Sequence, residues 1–413
     1  MRRRVVITGL GVVAPNGIGK DEFWRATIQG RSGVGLIENF DVSKLSSKIA
    51  AQVHDFDPLK YMSNMVAKKV DRFVHFGLAS SRMALEDAGL DLDKGSKDRI
   101  GVCIGSVFGG ILFHEEQMIA GIQKGLNRIN PLTVPKVTSN AVTSYIAIEF
   151  NITGPNMVIS TACASGTNAI GQAFKLIRDD ESDIILSGGV EAPIVPITFG
   201  SFCNLRILSS RNDSPEEACR PYDKERDGFV LGEGGAVLIL EELSHAIRRN
   251  AHIYAEIIGY GFNCGAYHMV LPEPEGKEAA KAMQAAIRDA EIKPHEIDYI
   301  GAYGNSTQPN DKAETKTIKT VFKGHAYSIP ISSIKSMIGH TVGASGAIEA
   351  VSGALAIENN LIPPTINYKY PDPDCDLDYV PNKARKSRLN TILLNSFGVG
   401  NTNACIILKR FNN

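Results

Sequence analysis

The 413-residue chain has no Cys-x-x-Cys pair among its 7 cysteines, a single tryptophan, and almost no net charge, the formal balance being -1. It also has no apolar run approaching the roughly 18 residues that span a bilayer. Each absence closes a class of function. The cysteines (Cys103, Cys163, Cys203, Cys219, Cys264, Cys375 and Cys405) are odd in number and unpaired in spacing, which argues against zinc ribbons and a disulfide framework. A balanced charge removes any general attraction to nucleic acid or to an anionic membrane. No low-complexity tract, flexible linker or short-period repeat is visible. The start of the chain places Arg2, Arg3 and Arg4 before apolar residues, in the manner of a signal peptide. The apolar run is short, however, Gly9 and Gly11 break it, and no small-residue cleavage site follows. It reads as a buried first strand, and the expected location is the cytoplasm.

What is present is ordinary globular material, with 43% hydrophobic and 22% charged residues. The length suits two domains or one doubled unit. Arg4–Val13 reads as a strand, and Val66–Gly89 as a helix stopped by Gly89. Arg99–Ile104, Val158–Ser160, Asp183–Gly188 and Gly234–Glu241 read as further strands. After residue 250 the grammar restarts. Ala255–Tyr260, Ile297–Tyr303, Ile329–Ser332, Thr391–Ser396 and Ala404–Lys409 read as strands, with helices at Gly276–Ala290, Asp311–Val321 and Ala344–Asn359. Alternation of this kind implies α/β architecture, with sheets covered by helices. The expected halves are residues 1–250 and 251–413.

Four loops carry the groups that could do chemistry. The first, Thr161-Ala162-Cys163-Ala164-Ser165-Gly166, stands between a strand end and a helix of small residues at Thr167–Arg178. A thiol at a helix N-terminus meets unpaired N–H groups and the positive end of the dipole. Both favour thiolate, so Cys163 is expected to have a lowered pKa and to act as a nucleophile. The competing reading is a small buried apolar residue, which is kept for the other cysteines. The second loop runs from Ala302 to Glu314 and is polar, with Asp311 and Glu314 placed where a helix N-terminus favours carboxylates. Alone, it reads as a capped surface turn. The third, Ser333–Gly346, combines Lys335 and His340 with glycines before another small-residue helix. A lone histidine is usually structural. A neutral imidazole donating Nε2–H can also stabilise an oxyanion or enolate. The fourth, Asn395–Asn403, is a glycine-rich turn whose backbone could approach a substrate closely.

In this order and spacing, the four loops resemble those of type II, elongating β-ketoacyl-acyl-carrier-protein synthases. The resemblance covers essentially the whole chain. It includes Val6–Gly11, the run from Arg220 to Gly234, and Ala266-Tyr267-His268. It implies a thiolase-like α/β fold of two similar halves in a five-layered αβαβα sandwich, usually a tight homodimer, with a heterodimer as the other form. It implies an acyl group carried on Cys163 and an acyl carrier protein bringing malonyl or acyl groups. Lys335 matches the family's active-site lysine and His340 its second histidine, and Glu314 is the lysine's expected partner with Asp311 beside it. The backbone N–H groups of Cys163 and Val399 match the oxyanion hole. Phe108, Phe202, His268, Val270, Asn305 and Thr307 fall where the family lines its acyl and pantetheine path. No metal or organic cofactor is implied beyond the phosphopantetheine arm on the carrier.

The chain departs from the family around the reaction centre. Tyr303 stands where the family has its first histidine. A phenol, with a reference pKa of about 10, donates a hydrogen bond readily but is a poor base at neutral pH. Asn305 and Val270 replace threonines, Val399 replaces a gating phenylalanine, and Asn401 replaces a glycine. Gln308-Pro309 alters the same loop as Tyr303, and Phe108 puts a large ring where a smaller aliphatic residue is common. Three readings stay open on these residues. One is a condensing enzyme favouring short acyl chains. Another is a polyketide-pathway protein that only decarboxylates malonyl-carrier protein or only moves acyl groups. The third is a non-catalytic partner subunit of a synthase heterodimer.

Overall fold

In the computed structural model, which describes residues 2–92 and 96–412, the first apolar run becomes a strand of 10 residues, β1 (Val5–Ala14), buried at every position. Strands covered on both faces read as continuous apolar runs, as this one does. Four more long strands share its sheet, β2 (Ile100–Gly105), β3 (Asn156–Ile159), β4 (Ile184–Glu191) and β5 (Gly234–Glu242), and a two-residue strand at Gly17–Ile18 pairs with the end of β1. Their order in space is β3-β2-β4-β5-β1, with β2 parallel to both neighbours and β5 antiparallel to both.

The second half repeats this plan with β6 (Ala255–Cys264), β7 (Tyr299–Gly301), β8 (Ile331–Ser332), β9 (Thr391–Gly398) and β10 (Thr402–Lys409). Its order is β8-β7-β9-β10-β6, and again the second strand is parallel to its neighbours and the fifth antiparallel. One strand sequence is therefore used twice. The sheets join at a single seam, where Val5–Ile7 of β1 pair antiparallel with Ala255–Ile257 of β6.

Helices α1 (Arg72–Ala88) and α2 (Ala141–Phe150) cover the outer face of the first sheet, and α3 (Ser165–Arg178) lies on its inner face. In the second half α4 (Lys277–Asp289) and α5 (Gln308–Phe322) are outer, and α6 (Ser345–Asn359) is inner. The result is five layers, αβαβα, with α3 and α6 packed together in the middle. A helix apolar or small on every side belongs in such a position. All residues of α6 from Ser345 to Ile357 are buried. The loops that start α3 and α6 carry Cys163 and His340, so the central layer brings the two halves' reactive loops together.

One expected helix divides. The stretch Val66–Gly89, continuous in its sequence pattern, is interrupted, because Ser63 caps a short turn at Asn64–Ala67, and Asp71 caps a new helix by accepting the Phe73 N–H at 3.4 Å. Gly89, at φ 56, ends it as expected. Helices at Ile111–Lys124 and Pro196–Asn204 were not read at all. In the first of them Met118, Ile119 and Ile122 face solvent, so no clean apolar stripe marks the helix. Among the described residues no helix is long and apolar enough to cross a membrane.

The close fit of β1 on α1 gives a direct test. A Cβ on Gly11 would lie 1.9 Å from the Ser80 carbonyl oxygen, whereas one on Gly35 meets nothing within 4 Å. Overpacking of this kind costs about 1–3 kcal/mol or more. Gly11→Ala is therefore expected to lower the thermal unfolding midpoint by several degrees, and Gly35→Ala to leave it nearly unchanged. Equal midpoints for the two variants would contradict the packing.

Candidate active site

Cys163 stands in the sharp turn from β3 into α3. The residue before it, Ala162, has φ 50, a left-handed conformation that costs a side-chain-bearing residue about 1–3 kcal/mol. Hydrogen bonds hold the turn in place. Ser165 Oγ donates to the Ala162 carbonyl at 2.6 Å and accepts the Thr161 N–H at 2.9 Å. Thr402 Oγ1, from β10, donates to the Thr161 carbonyl at 3.0 Å. The sulfur is thereby aimed at the second half of the chain.

There it meets His340. Its Nε2 lies 3.0 Å from Cys163 Sγ and 3.3 Å from the Tyr303 hydroxyl, while Nδ1 lies 3.0 Å from Ser345 Oγ. The imidazole is fixed by its own backbone, with His340 N–H donating to the Val230 carbonyl at 2.7 Å, and by the edge of the Phe229 ring, whose centroid is 5.2 Å away. Burial, reinforced by the nearby Lys335 charge, pushes the His340 pKa well below its ordinary value, so the ring is neutral at neutral pH.

The thiol departs from expectation. Burial raises the Cys163 pKa above that of a free cysteine, although hydrogen bonds from the Tyr303 hydroxyl and the Val399 N–H, together with the Lys335 charge, act in the other direction. The helix itself begins at Ser165, two residues beyond Cys163. The resting pair is a neutral thiol beside a neutral imidazole. Burial likewise raises the Tyr303 phenol well above its usual value, so it remains protonated and acts as a donor.

Lys335 is fully buried with its ammonium 4.8 Å from the centroid of the Tyr303 ring. Its expected partner was Glu314, and this is corrected. Lys335 Nζ pairs with Glu349 of α6. Glu314 is already occupied by four donors: the Tyr303 N–H at 2.8 Å, the Gly304 N–H at 2.7 Å, the Tyr222 hydroxyl at 2.8 Å and Asn395 Nδ2 at 3.1 Å. Asp311 does the same for the next stretch, accepting the N–H groups of Asn305 and Ser306 while pairing with buried Arg226 at 3.1 Å. Both carboxylates shape the loop that carries Tyr303. Burial brings the pKa of Glu349 up to about 7 and that of Asp311 up to about 7.

A cavity of about 480 Å³ runs from the surface to the sulfur. Cys163, Tyr303, His340 and Val399 line it, as do Phe108, Phe202, Val270, Asn305 and Thr307. The rings of Phe108, Phe202 and Phe229 meet edge to face, with centroids 6.2 and 6.0 Å apart, and wall off one end. His268 is not brought to the wall. It is exposed on the loop at the cavity mouth, where its Nδ1 accepts the N–H groups of Val270 and Leu271 at 2.9 and 3.0 Å.

Residues 2–246 match the family description "Beta-ketoacyl synthase, N-terminal domain" and residues 254–369 match "Beta-ketoacyl synthase, C-terminal domain". The chain belongs to the β-ketoacyl synthase family. Among curated relatives, the 3-oxoacyl-[acyl-carrier-protein] synthase 2 of Coxiella burnetii is 46% identical over 409 residues, 99% of each chain. That of Synechocystis sp. is 43% identical over 410 residues, again 99% of each. Among solved structures, a type II PKS ketosynthase in complex with its acyl-carrier protein and bound to a hexaketide superposes with a TM-score of 0.93 at 38% identity, covering all of both chains. The ishigamide ketosynthase/chain length factor does so with a TM-score of 0.94 at 33% identity, also over all of both chains.

Two residues that shape this β-ketoacyl synthase site went unread in the sequence. Glu349 is a lone acid inside a run of small and apolar residues, Gly346 to Ile357, and that isolation was a legible signal of a buried partner for Lys335. Glu191, at the end of β4, accepts the N–H groups of Val107 and Phe108 at 2.8 and 3.0 Å and that of Gly343 at 3.1 Å, tying the Phe108 loop to the start of α6. Nothing local marks it.

The raised thiol pKa is testable by alkylation followed peptide by peptide, with exposed Cys264 as the internal reference. Because the shift is upward, the thiolate fraction of Cys163 at any pH is smaller than that of an ordinary thiol. Its reaction rate is expected to be still rising through pH 9, with no plateau in the neutral range. A Cys163 rate already flat at pH 7 would contradict the neutral pair.

Proposed function

We propose that this chain is a 3-oxoacyl-[acyl-carrier-protein] synthase-type acyltransferase. In this reading it takes an acyl group onto Cys163 and condenses it with malonyl-carrier protein, with loss of carbon dioxide. The observation that carries the reading is the convergence of Cys163 Sγ, His340 Nε2, the Tyr303 hydroxyl and the Val399 N–H at the inner end of one apolar cavity. The names of the relatives support it, since each acts on acyl-carrier protein.

In the first step the sulfur attacks the acyl thioester carbonyl. The thiol proton passes through His340 Nε2 to the departing pantetheine thiol, and the negative oxygen rests on the backbone N–H groups of Cys163 and Val399. In the second step the malonyl carboxylate leaves as carbon dioxide, and the electron pair of the broken bond forms an enolate. That carbon attacks the Cys163 thioester, the carbon–sulfur bond breaks, and the departing thiolate takes up one proton from water by way of His340. The enolate oxygen takes hydrogen bonds from the Tyr303 hydroxyl and from His340 Nε2–H. Ser345 Oγ serves both histidine tautomers, accepting from Nδ1 in one and donating to it in the other, with Thr341 Oγ1 at 3.1 Å as its alternate partner. Lys335 keeps the imidazole neutral and favours the departing thiolate.

The reading has further parts. The halves 1–250 and 251–413 are two units of one doubled fold, the first supplying Cys163 and the second Tyr303, Lys335 and His340. Phe108 and Phe202 shorten the acyl end of the cavity, so short acyl chains are favoured. Val270, Asn305 and Thr307 lie along the path of the phosphopantetheine arm, and no separate cofactor is used. The protein works in the cytoplasm as a homodimer or in a heterodimer. Among the described residues no group of three or more His, Cys, Asp or Glu is arranged to hold a metal ion.

Malonyl-carrier protein supplied with and without an acyl-carrier primer, and followed by intact mass, tests the reaction. The expected product is a carrier-bound β-keto chain two carbons longer than the primer. Tyr303→Phe is expected to lower its formation by roughly 100- to 1,000-fold, the cost of one lost oxyanion donor, while Cys163 still becomes acylated. Acetyl-carrier protein alone, or acylated Cys163 with no chain growth, would contradict condensation.

A further inference from the structure

The wall of the cavity beside Tyr303 carries a run of buried side chains whose hydrogen bonds all point one way. Asn310 Nδ2 donates to Thr307 Oγ1 at 2.8 Å. Thr307 Oγ1 donates to Asn305 Oδ1 at 2.8 Å, and the Thr307 N–H donates to the same oxygen at 3.1 Å. Asn305 Nδ2 donates to the Tyr303 hydroxyl oxygen at 3.3 Å. The Asn305 amide cannot be turned over, because its NH2 group would then face the Thr307 N–H. Asn305, with 3% of its surface exposed, and Thr307, with 7%, have little water to supply an alternative. The phenol oxygen is therefore an acceptor on one side, and its own proton is directed to the other, toward Cys163 and His340.

The geometry points to Asn305 as a positioning residue. Its amide, oriented by Thr307, holds the Tyr303 hydroxyl as a one-directional donor aimed at the reacting sulfur and at the oxygen that develops charge beside it. A phenol alone rotates its proton freely between acceptors. A chain of donors ending on its oxygen both fixes that rotation and makes the O–H a stronger donor, since successive hydrogen bonds polarise one another. Tyrosine at 303 and asparagine at 305 thus work as a pair. The part of this inference that concerns the enolate rests on the condensation reading; the part that concerns the sulfur does not.

A double-mutant cycle over Asn305→Ala and Tyr303→Phe tests it, with two readouts. The first is the pH midpoint of Cys163 alkylation, which needs no condensation. The other charged and titratable groups facing the sulfur and the phenol, namely His340, Lys335 and Glu314, are the same in all four proteins. Asn305→Ala is expected to raise the midpoint by roughly half a pH unit, the worth of one modest hydrogen bond. In the Tyr303→Phe background the same change should produce no further shift. The second readout is chain growth against acylation. Asn305→Ala should lower condensation about tenfold with the acylation rate held within about twofold, and again only when Tyr303 is present. Thr307→Val, which releases the amide from one of its two donors, should reproduce part of both effects. Equal shifts with and without the phenol would overturn the pairing, as would an Asn305→Ala midpoint unchanged from the parent. An alkylation cycle that behaves as expected, in a protein that makes no β-keto product, would uphold the pairing and reject only the condensation reading.

Discussion

The arrangement depends on one contact between the halves of the chain. A sulfur held by the first half meets an imidazole held by the second at 3.0 Å, with both groups buried and both neutral. The surrounding structure holds that contact in place. The repeated sheet order places the loops that begin α3 and α6 in the same central layer. Left-handed Ala162 turns the sulfur outward from its own half. Ser345 and the Val230 backbone fix the imidazole. A charged pair at this depth would need a compensating environment, and the nearby cation, Lys335, is itself paired with Glu349.

The tyrosine is best understood within that neutrality. A phenol raised well above its ordinary pKa carries one proton and does not give it up, so Tyr303 supplies a donor and no base. The family's first histidine would offer a second titrating group at this position. Here the loop is fitted to a donor instead. Glu314 and Asp311 hold its backbone, Lys335 sits over the ring face, and Asn305 closes on the hydroxyl oxygen. Two of the departures from the family pattern in this loop, Tyr303 and Asn305, are joined directly at the phenol oxygen.

Much of this was legible in the residues. Doubling of the fold was visible because buried strands announce themselves as short apolar runs, and because the grammar of strand, loop and small-residue helix restarts after residue 250. Cys163 was visible from its own loop, between a strand end and a small-residue helix, whereas Tyr303, Lys335 and His340 were legible only through the resemblance of the four loops, taken together, to the synthase family. What escaped depends on distances that no local pattern encodes. The Lys335–Glu349 pair forms between residues 14 apart, one at the start of a short helical turn and the other inside α6, whereas the resemblance to the family had implied Glu314. The sign of the Cys163 shift turned on burial, which outweighs the hydrogen bonds of Tyr303 and Val399 and the charge of Lys335, and burial depends on the tertiary packing. The helix at Ile111–Lys124 escaped because its apolar side chains face outward.

The neutrality of the pair can be observed directly. In protein labelled with 15N-histidine, the His340 ring signals, identified by their loss in His340→Gln, report the charge of the imidazole as pH is lowered. The account predicts a neutral ring at pH 7 that stays neutral well below the ordinary histidine value. An imidazolium at pH 7 would mean that the site rests charged, and a titration near the ordinary value of about 6.5 would mean that burial and Lys335 do not depress the ring; either result would contradict the account.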